Sequence, residues 1–153
     1  MNMSTIQVGE LLYQVTLNIT GITEYGVSFG ALIGGTVAPP PEGVRFDVVF
    51  AGEANGPKLK GTAIGVDHRR VRADGRFDLH IHETITTDNG PKIDVQGDGI
   101  AMLRPDGSMV DLRLNLTLFT SSKEYTWVNA LQVWGIGTVD LTKQVIQVTA
   151  YSA

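Results

Sequence analysis

The sequence predicts an all-β fold, an antiparallel meander of about eight or nine short strands that closes into a barrel or packs as a sandwich. Three observations predict it. Apolar residues recur at every second position along most of the chain, the residues between those runs are the ones tight turns demand, and no segment sustains a period of 3.6 with helix caps.

In chain order, Tyr13, Val15, Leu17 and Ile19 alternate with Gln14, Thr16, Asn18 and Thr20, the pattern of a half-buried strand. Residues 30–43 break the pattern. They hold Gly34-Gly35 and Pro39-Pro40-Pro41, and three successive prolines withhold ladder donors, so the stretch is no single regular element. A connection this long is either a lid or a wandering edge loop. Val44, Phe46, Val48 and Phe50 resume the alternation against Arg45 and Asp47, and Asn55-Gly56-Pro57 marks the next corner. Asp74-Gly75 opens a strand over residues 77–86, and Asp88-Asn89-Gly90 ends it. Pro105-Asp106-Gly107 leads into Val110, Leu112, Leu114, Leu116 and Leu118, which alternate with Asp111, Arg113, Asn115 and Thr117. These turn residues supply the positive or preset φ that hairpins require. Residues 125–133 and 145–148, rich in β-branched and aromatic side chains, read as the last strands.

A chain of 153 residues suits one domain, with residues 1–10 as an N-terminal tail and 11–153 as the barrel. At 42% hydrophobic and 18% charged, it is too apolar for a disordered protein. No apolar run approaches the roughly 20 residues that cross a bilayer, and residues 1–10 lack the basic and apolar regions of a secretion signal, so the expectation is a cytoplasmic protein without a membrane partner. The formal net charge of −4 argues against general nucleic-acid binding. The chain has no cysteine, which removes thiol catalysis, disulfides and Cys-ligated zinc.

Several short motifs occur together in order: Pro41-Glu42-Gly43-Val44-Arg45, Phe50-Ala51-Gly52, Gly56-Pro57-Lys58-Leu59-Lys60-Gly61, Gly65 with Asp67, and Asp74-Gly75. Thr87-Asp88-Asn89-Gly90-Pro91-Lys92-Ile93, Trp127-Val128-Asn129 and Gly135-Ile136-Gly137 complete the series. Over roughly residues 11–150 this pattern resembles an uncharacterised, mainly microbial family known as domain of unknown function 3237. The resemblance implies a lipocalin-like antiparallel β-barrel with an interior pocket, and a homo-oligomer; it implies no reaction. It also implies departures at His80, His82 and Glu83, where the family pattern carries Asp, Arg and Tyr.

The strand over residues 77–86 carries the chemistry most worth testing. Phe77, Leu79, Ile81, Glu83 and Ile85 share one face, and Asp78, His80, His82, Thr84 and Thr86 the other. The first face is apolar and belongs inside a small barrel, which places Glu83 among apolar neighbours and raises its pKa towards neutrality. A position at the barrel mouth or a bulge turns it outward instead. His80 and His82 at i and i+2 can converge on a metal with Asp78, but a solvated strand face has the same spacing, so no metal or cofactor is expected. If the faces are reversed, the two histidines replace Glu83 as proton-transfer candidates.

Read as a strand, residues 125–133 set Tyr125, Trp127, Asn129, Leu131 and Val133 on one side. Facing inward, Tyr125 and Asn129 would bring polar tips to a developing oxyanion, with Trp127, Leu131, Phe77 and Ile81 as apolar lining. Alternatively Asn129 satisfies backbone groups at a bulge and Tyr125 lies at the rim. Arg69, Arg70, Arg72 and Arg76, with His68, read as a solvated hairpin balanced by Asp67, Asp74 and Asp78 rather than as an anion funnel. The functional expectation is a cofactor-independent acid–base enzyme of isomerase, cyclase or lyase/hydratase type, acting on a small, largely apolar oxygenated compound. The alternative is a non-catalytic binding protein for a small hydrophobic ligand, or a barrel filled by its own side chains.

Overall fold

Closure of the sheet on itself is the dominant feature of the architecture. The computed structural model describes residues 8–153. Eight strands form one antiparallel barrel in sequence order. They are β1 (Leu11–Glu24), β2 (Val44–Asn55), β3 (Lys60–Val71), β4 (Phe77–Thr87), β5 (Lys92–Leu103), β6 (Met109–Phe119), β7 (Val133–Asp140) and β8 (Val145–Ser152). β1 pairs with both β2 and β8, so no sheet edge is left open. Alternation decides what fills the interior: Tyr13, Val15 and Leu17 of β1, Val44, Phe46, Val48 and Phe50 of β2, and Leu112 to Leu118 of β6 at every second position are buried.

The two ends of the barrel close differently. A short helix, α1 (Phe29–Ile33), lies between the end of β1 and the start of β2. Its N-cap Ser28 accepts a hydrogen bond from the Ala31 backbone N–H, Leu32 is buried, and Phe29 meets Phe46 edge-on with ring centroids 5.1 Å apart. The stretch expected to be irregular therefore begins with a helical turn packed on the core.

At the opposite end, the strand expected over residues 125–133 is a 3₁₀ segment, Lys123–Ala130, followed by β7. The reason is local. Asn129 spans the segment, its Oδ1 accepting from the Thr120 N–H at 2.9 Å and its Nδ2 donating to the Thr120 carbonyl at 2.8 Å. Tyr125 and Val128, the two buried residues, are three apart, the spacing that stacks on one side of a 3₁₀ turn. Period-two reading mistook that spacing for alternation.

Of the expected N-terminal tail, residues 1–7 lie outside the described residues. Gly9 and Glu10 extend the barrel pairing: the Gly9 N–H donates to the Ser152 carbonyl at 2.8 Å, and the Glu10 carbonyl accepts from the Ser152 N–H at 2.9 Å. No helix among the described residues is long and apolar enough to cross a membrane.

Candidate functional site

β4 places Glu83 inside the barrel. Phe77, Leu79 and Ile85 on the same side are buried, and Glu83 among them is 7% exposed, while His80 and His82 face outward. Across the sheet Glu83 pairs with Gly65 on β3 and Val95 on β5. The glycine matters here: a Cβ at residue 65 would stand 2.8 Å from Phe50 Cζ and 2.9 Å from Glu83 Cα, so only a bare backbone lets Phe50 lie this close to the carboxyl's strand.

Glu83 lines an interior cavity of about 40 Å³ whose walls are otherwise mostly Val, Leu, Ile and Phe side chains. That volume holds a few waters and falls short of an aromatic ring, so a larger occupant must displace side chains. Tyr13 of β1 is the second polar group there. Among the described residues, Tyr13 Oη and Glu83 Oε1 are the buried side-chain atoms without a hydrogen-bond partner. Burial pushes the Glu83 carboxyl up from 4.5 to about 7. Burial first, and then the charge of Glu83, push the Tyr13 phenol above its ordinary range, so it stays a hydrogen-bond donor.

β3 contributes a buried ion pair to the same cavity. Arg69 Nε donates to Asp67 Oδ2 at 3.0 Å, with both side chains about 5% exposed or less. The other carboxylate oxygen, Oδ1, accepts the His80 backbone N–H at 3.0 Å. Strand pairing explains the arrangement. The β3–β4 register runs to Asp67↔Ile81 and resumes at Arg70↔Asp78, and the Asp67 carboxylate receives the His80 N–H within that gap. The Arg69 guanidinium carbon sits 5.5 Å from the Phe77 ring centroid.

The structure brings some of the sequence-predicted residues together and separates others. Ile81 lines the cavity beside Glu83. Phe77 is core under Arg69 and does not line it. Tyr125 and Asn129 stand away from Glu83, at the end of the barrel, because the segment carrying them is 3₁₀ rather than strand. Tyr125 Oη donates to Asn89 Oδ1 at 3.0 Å, and both polar groups of Asn129 are taken by Thr120. Trp127 and Leu131 pack half-buried against the core, with Lys58 Nζ 5.6 Å from the Trp127 ring centroid. They too lie outside the cavity lining.

His80, His82 and His68 border a groove on the outer wall. His82 Nε2 is 2.8 Å from Asp94 Oδ1, and His68 Nδ1 is 2.8 Å from Asp47 Oδ1. Among the described residues, no three His, Asp or Glu side chains gather as a metal-holding group. The solvated-hairpin reading of the basic stretch fails at Arg69 and Asp67, which point inward. Sequence reasoning thus missed Tyr13, Asp67 and Arg69 as site residues. A signal existed, since Ala63, Asp67, Arg69 and Val71 share one parity on β3, and their two apolar members mark that parity as interior.

A family model described as Protein of unknown function (DUF3237) matches residues 36–153. Several solved structures share the fold. A β-barrel-like protein from Acinetobacter baumannii is 20% identical, with 99% of this chain and 98% of that one covered and a TM-score of 0.78. A conserved protein of unknown function from Rhodopseudomonas palustris is 17% identical over 98% and 99%, at a TM-score of 0.76. A protein from Penicillium herquei described as an enzyme is 20% identical over 98% and 99%, at a TM-score of 0.64. No curated protein matches the chain.

Proposed function

The chain belongs to the family described as Protein of unknown function (DUF3237), whose description assigns no reaction, and from that premise we propose that the barrel interior is a cofactor-independent acid–base site. Its substrate is a small, largely apolar oxygenated compound, and its reaction an isomerisation, cyclisation, elimination or hydration. One observation carries the reading: a carboxyl and a phenol share one mostly apolar cavity, and each has a buried polar atom without a hydrogen-bond partner among the described residues. Buried polar groups are nearly always satisfied, so two orphans facing one space mark where a polar ligand belongs. The fold likeness to a barrel described as an enzyme adds modest support.

With its carboxyl near 7, Glu83 has both protonation states available at neutral pH. Ionised, it takes a proton from a carbon beside a carbonyl. The C–H electron pair moves to the carbonyl oxygen, and the Tyr13 hydroxyl donates to that oxygen as its charge grows. In an isomerisation Glu83 then returns the proton to another carbon of the substrate. In a cyclisation or elimination it delivers the proton to the oxygen of the attacked carbonyl or of the leaving group, and a hydration runs the elimination backwards with water as co-reactant.

A panel of small enolisable ketones in D₂O, followed by loss of C–H signals in proton NMR, tests the proposal. Exchange above buffer that disappears in Glu83→Gln supports it. Equal exchange in both proteins, or none with wild type, refutes it. The mostly apolar lining favours a second reading, a barrel that binds a small hydrophobic ligand without turnover. Ligand binding by both proteins without exchange in either establishes that reading.

A further inference from the structure

We propose that Arg69 is the second polar pole of this cavity and receives a neutral acceptor oxygen, which makes the ligand a two-ended molecule with oxygens at opposite ends of an apolar body. This inference rests on the interior being the ligand site, as proposed above. Among the described residues, the guanidinium makes one side-chain hydrogen bond, from Nε to Asp67. Among the described residues its two terminal NH₂ groups make no side-chain hydrogen bond, and they are not among the fully buried unpaired atoms, so they keep some accessible surface on a side chain that is only 4% exposed. A guanidinium has five N–H donors, and because Arg69 lines the cavity the ones not used by Asp67 are available to a ligand oxygen there.

Position sets the shape of that ligand. Glu83 lies opposite Gly65, and Arg69 is four residues further along the same strand, roughly 13 Å at about 3.3 Å per residue. The guanidinium rests over Phe77, which is farther still from Glu83 along β4, so the two side chains enter the cavity from different levels of the barrel. Between them the lining is apolar. An apolar ring with oxygens at its two ends can engage both groups once the side chains between them move aside.

Charge sets the chemistry of the distal oxygen. Asp67 already balances Arg69 in a dry site and is itself held by the His80 N–H. A carboxylate on the guanidinium would place a second anion there, with no cation to offset it. A carbonyl oxygen accepts the same NH₂ groups and adds no charge. The pole therefore selects ketones and aldehydes over acids.

Three probes decide the matter by calorimetric titration: 4-methylphenol, 4-hydroxyacetophenone and 4-hydroxybenzoate. With wild type, the ketone should bind about tenfold or more tightly than methylphenol, and more tightly than the benzoate. In the double variant Asp67→Asn, Arg69→Met, which removes both charges and leaves an acceptor for the His80 N–H, ketone and methylphenol should bind alike. A ketone advantage that survives in the variant overturns the assignment of Arg69. A preference for the benzoate overturns the neutral-oxygen argument, and failure of all three probes to bind wild type overturns the two-ended ligand. If the variant does not fold, the ¹⁵Nη signals of Arg69 in labelled wild type decide instead. They should move with the ketone and stay with methylphenol, and movement with neither refutes the proposal. Binding that depends on Arg69 without ketone exchange would keep this inference while refuting the acid–base reading; exchange lost in Glu83→Gln without any Arg69 dependence would do the reverse.

Discussion

Glu83→Gln should make the stability of the barrel less sensitive to pH, and the size of the change follows from burial. The carboxyl lies near 7 in the folded protein against 4.5 ordinarily. Between those values the native state holds a proton that the unfolded chain has released, so raising the pH favours unfolding. The stabilisation is complete below about 4.5 and is lost as pH rises through 7. Carried from pH 5 to pH 8, one such group costs about 2.5 kcal/mol, on the order of 5–10 °C in Tm for a chain of this size. Other groups titrate in the same window, so the quantity to measure is the wild-type minus variant difference. Urea unfolding of both proteins at half-unit steps from pH 5 to 8 supplies it. Wild type should lose about 2–3 kcal/mol more than Glu83→Gln across the range, with unchanged m-values. A difference that stays flat with pH would mean the carboxyl is solvated, and the cavity site would fall with it.

Four further variants probe the same interior. Tyr13→Phe deletes a buried hydroxyl that has no partner, so denaturation should show it neutral or up to about 1 kcal/mol more stable, while ketone exchange falls; a clear loss of stability would show the hydroxyl is satisfied. Asp67→Ala strands the Arg69 charge and the His80 N–H, and chemical unfolding should reveal a loss of about 3–5 kcal/mol. In the Asp67→Asn, Arg69→Met pair the loss should be much smaller, and equal losses would contradict a coupled ion pair. Gly65→Ala forces a methyl against Phe50 and the His82 carbonyl and should cost about 1–3 kcal/mol. A neutral outcome would show that Phe50 has room to move.

Much of this molecule is readable from its amino-acid sequence because β-structure is encoded at short range. The alternation in β1, β2, β4 and β6 marks each side chain as inward or outward, and turns such as Asp74-Gly75 and Asp88-Asn89-Gly90 join strands with little freedom of path. That parity alone put Glu83 inside, and His80 and His82 outside. Residues 125–133 misled because apolar side chains spaced by two and by three overlap in a short window, and the bonds that decide for the 3₁₀ turn, Asn129 to Thr120 and Tyr125 to Asn89, join residues 9 and 36 positions apart. Asp67 and Arg69 misled for a different reason: charged residues usually face water, so their parity was outweighed by their chemistry.

The meander, its turns and the inside face of most strands follow from local sequence, since each depends on neighbours within a few positions. The closed barrel was needed to bring Tyr13 of β1 and Glu83 of β4 to one cavity, and to give Asp67 a β4 backbone N–H beside Arg69. Parity says which way a side chain points. Which side chains it meets across the interior depends on the stagger and closure of eight strands at once, a long-range geometry that no local pattern contains.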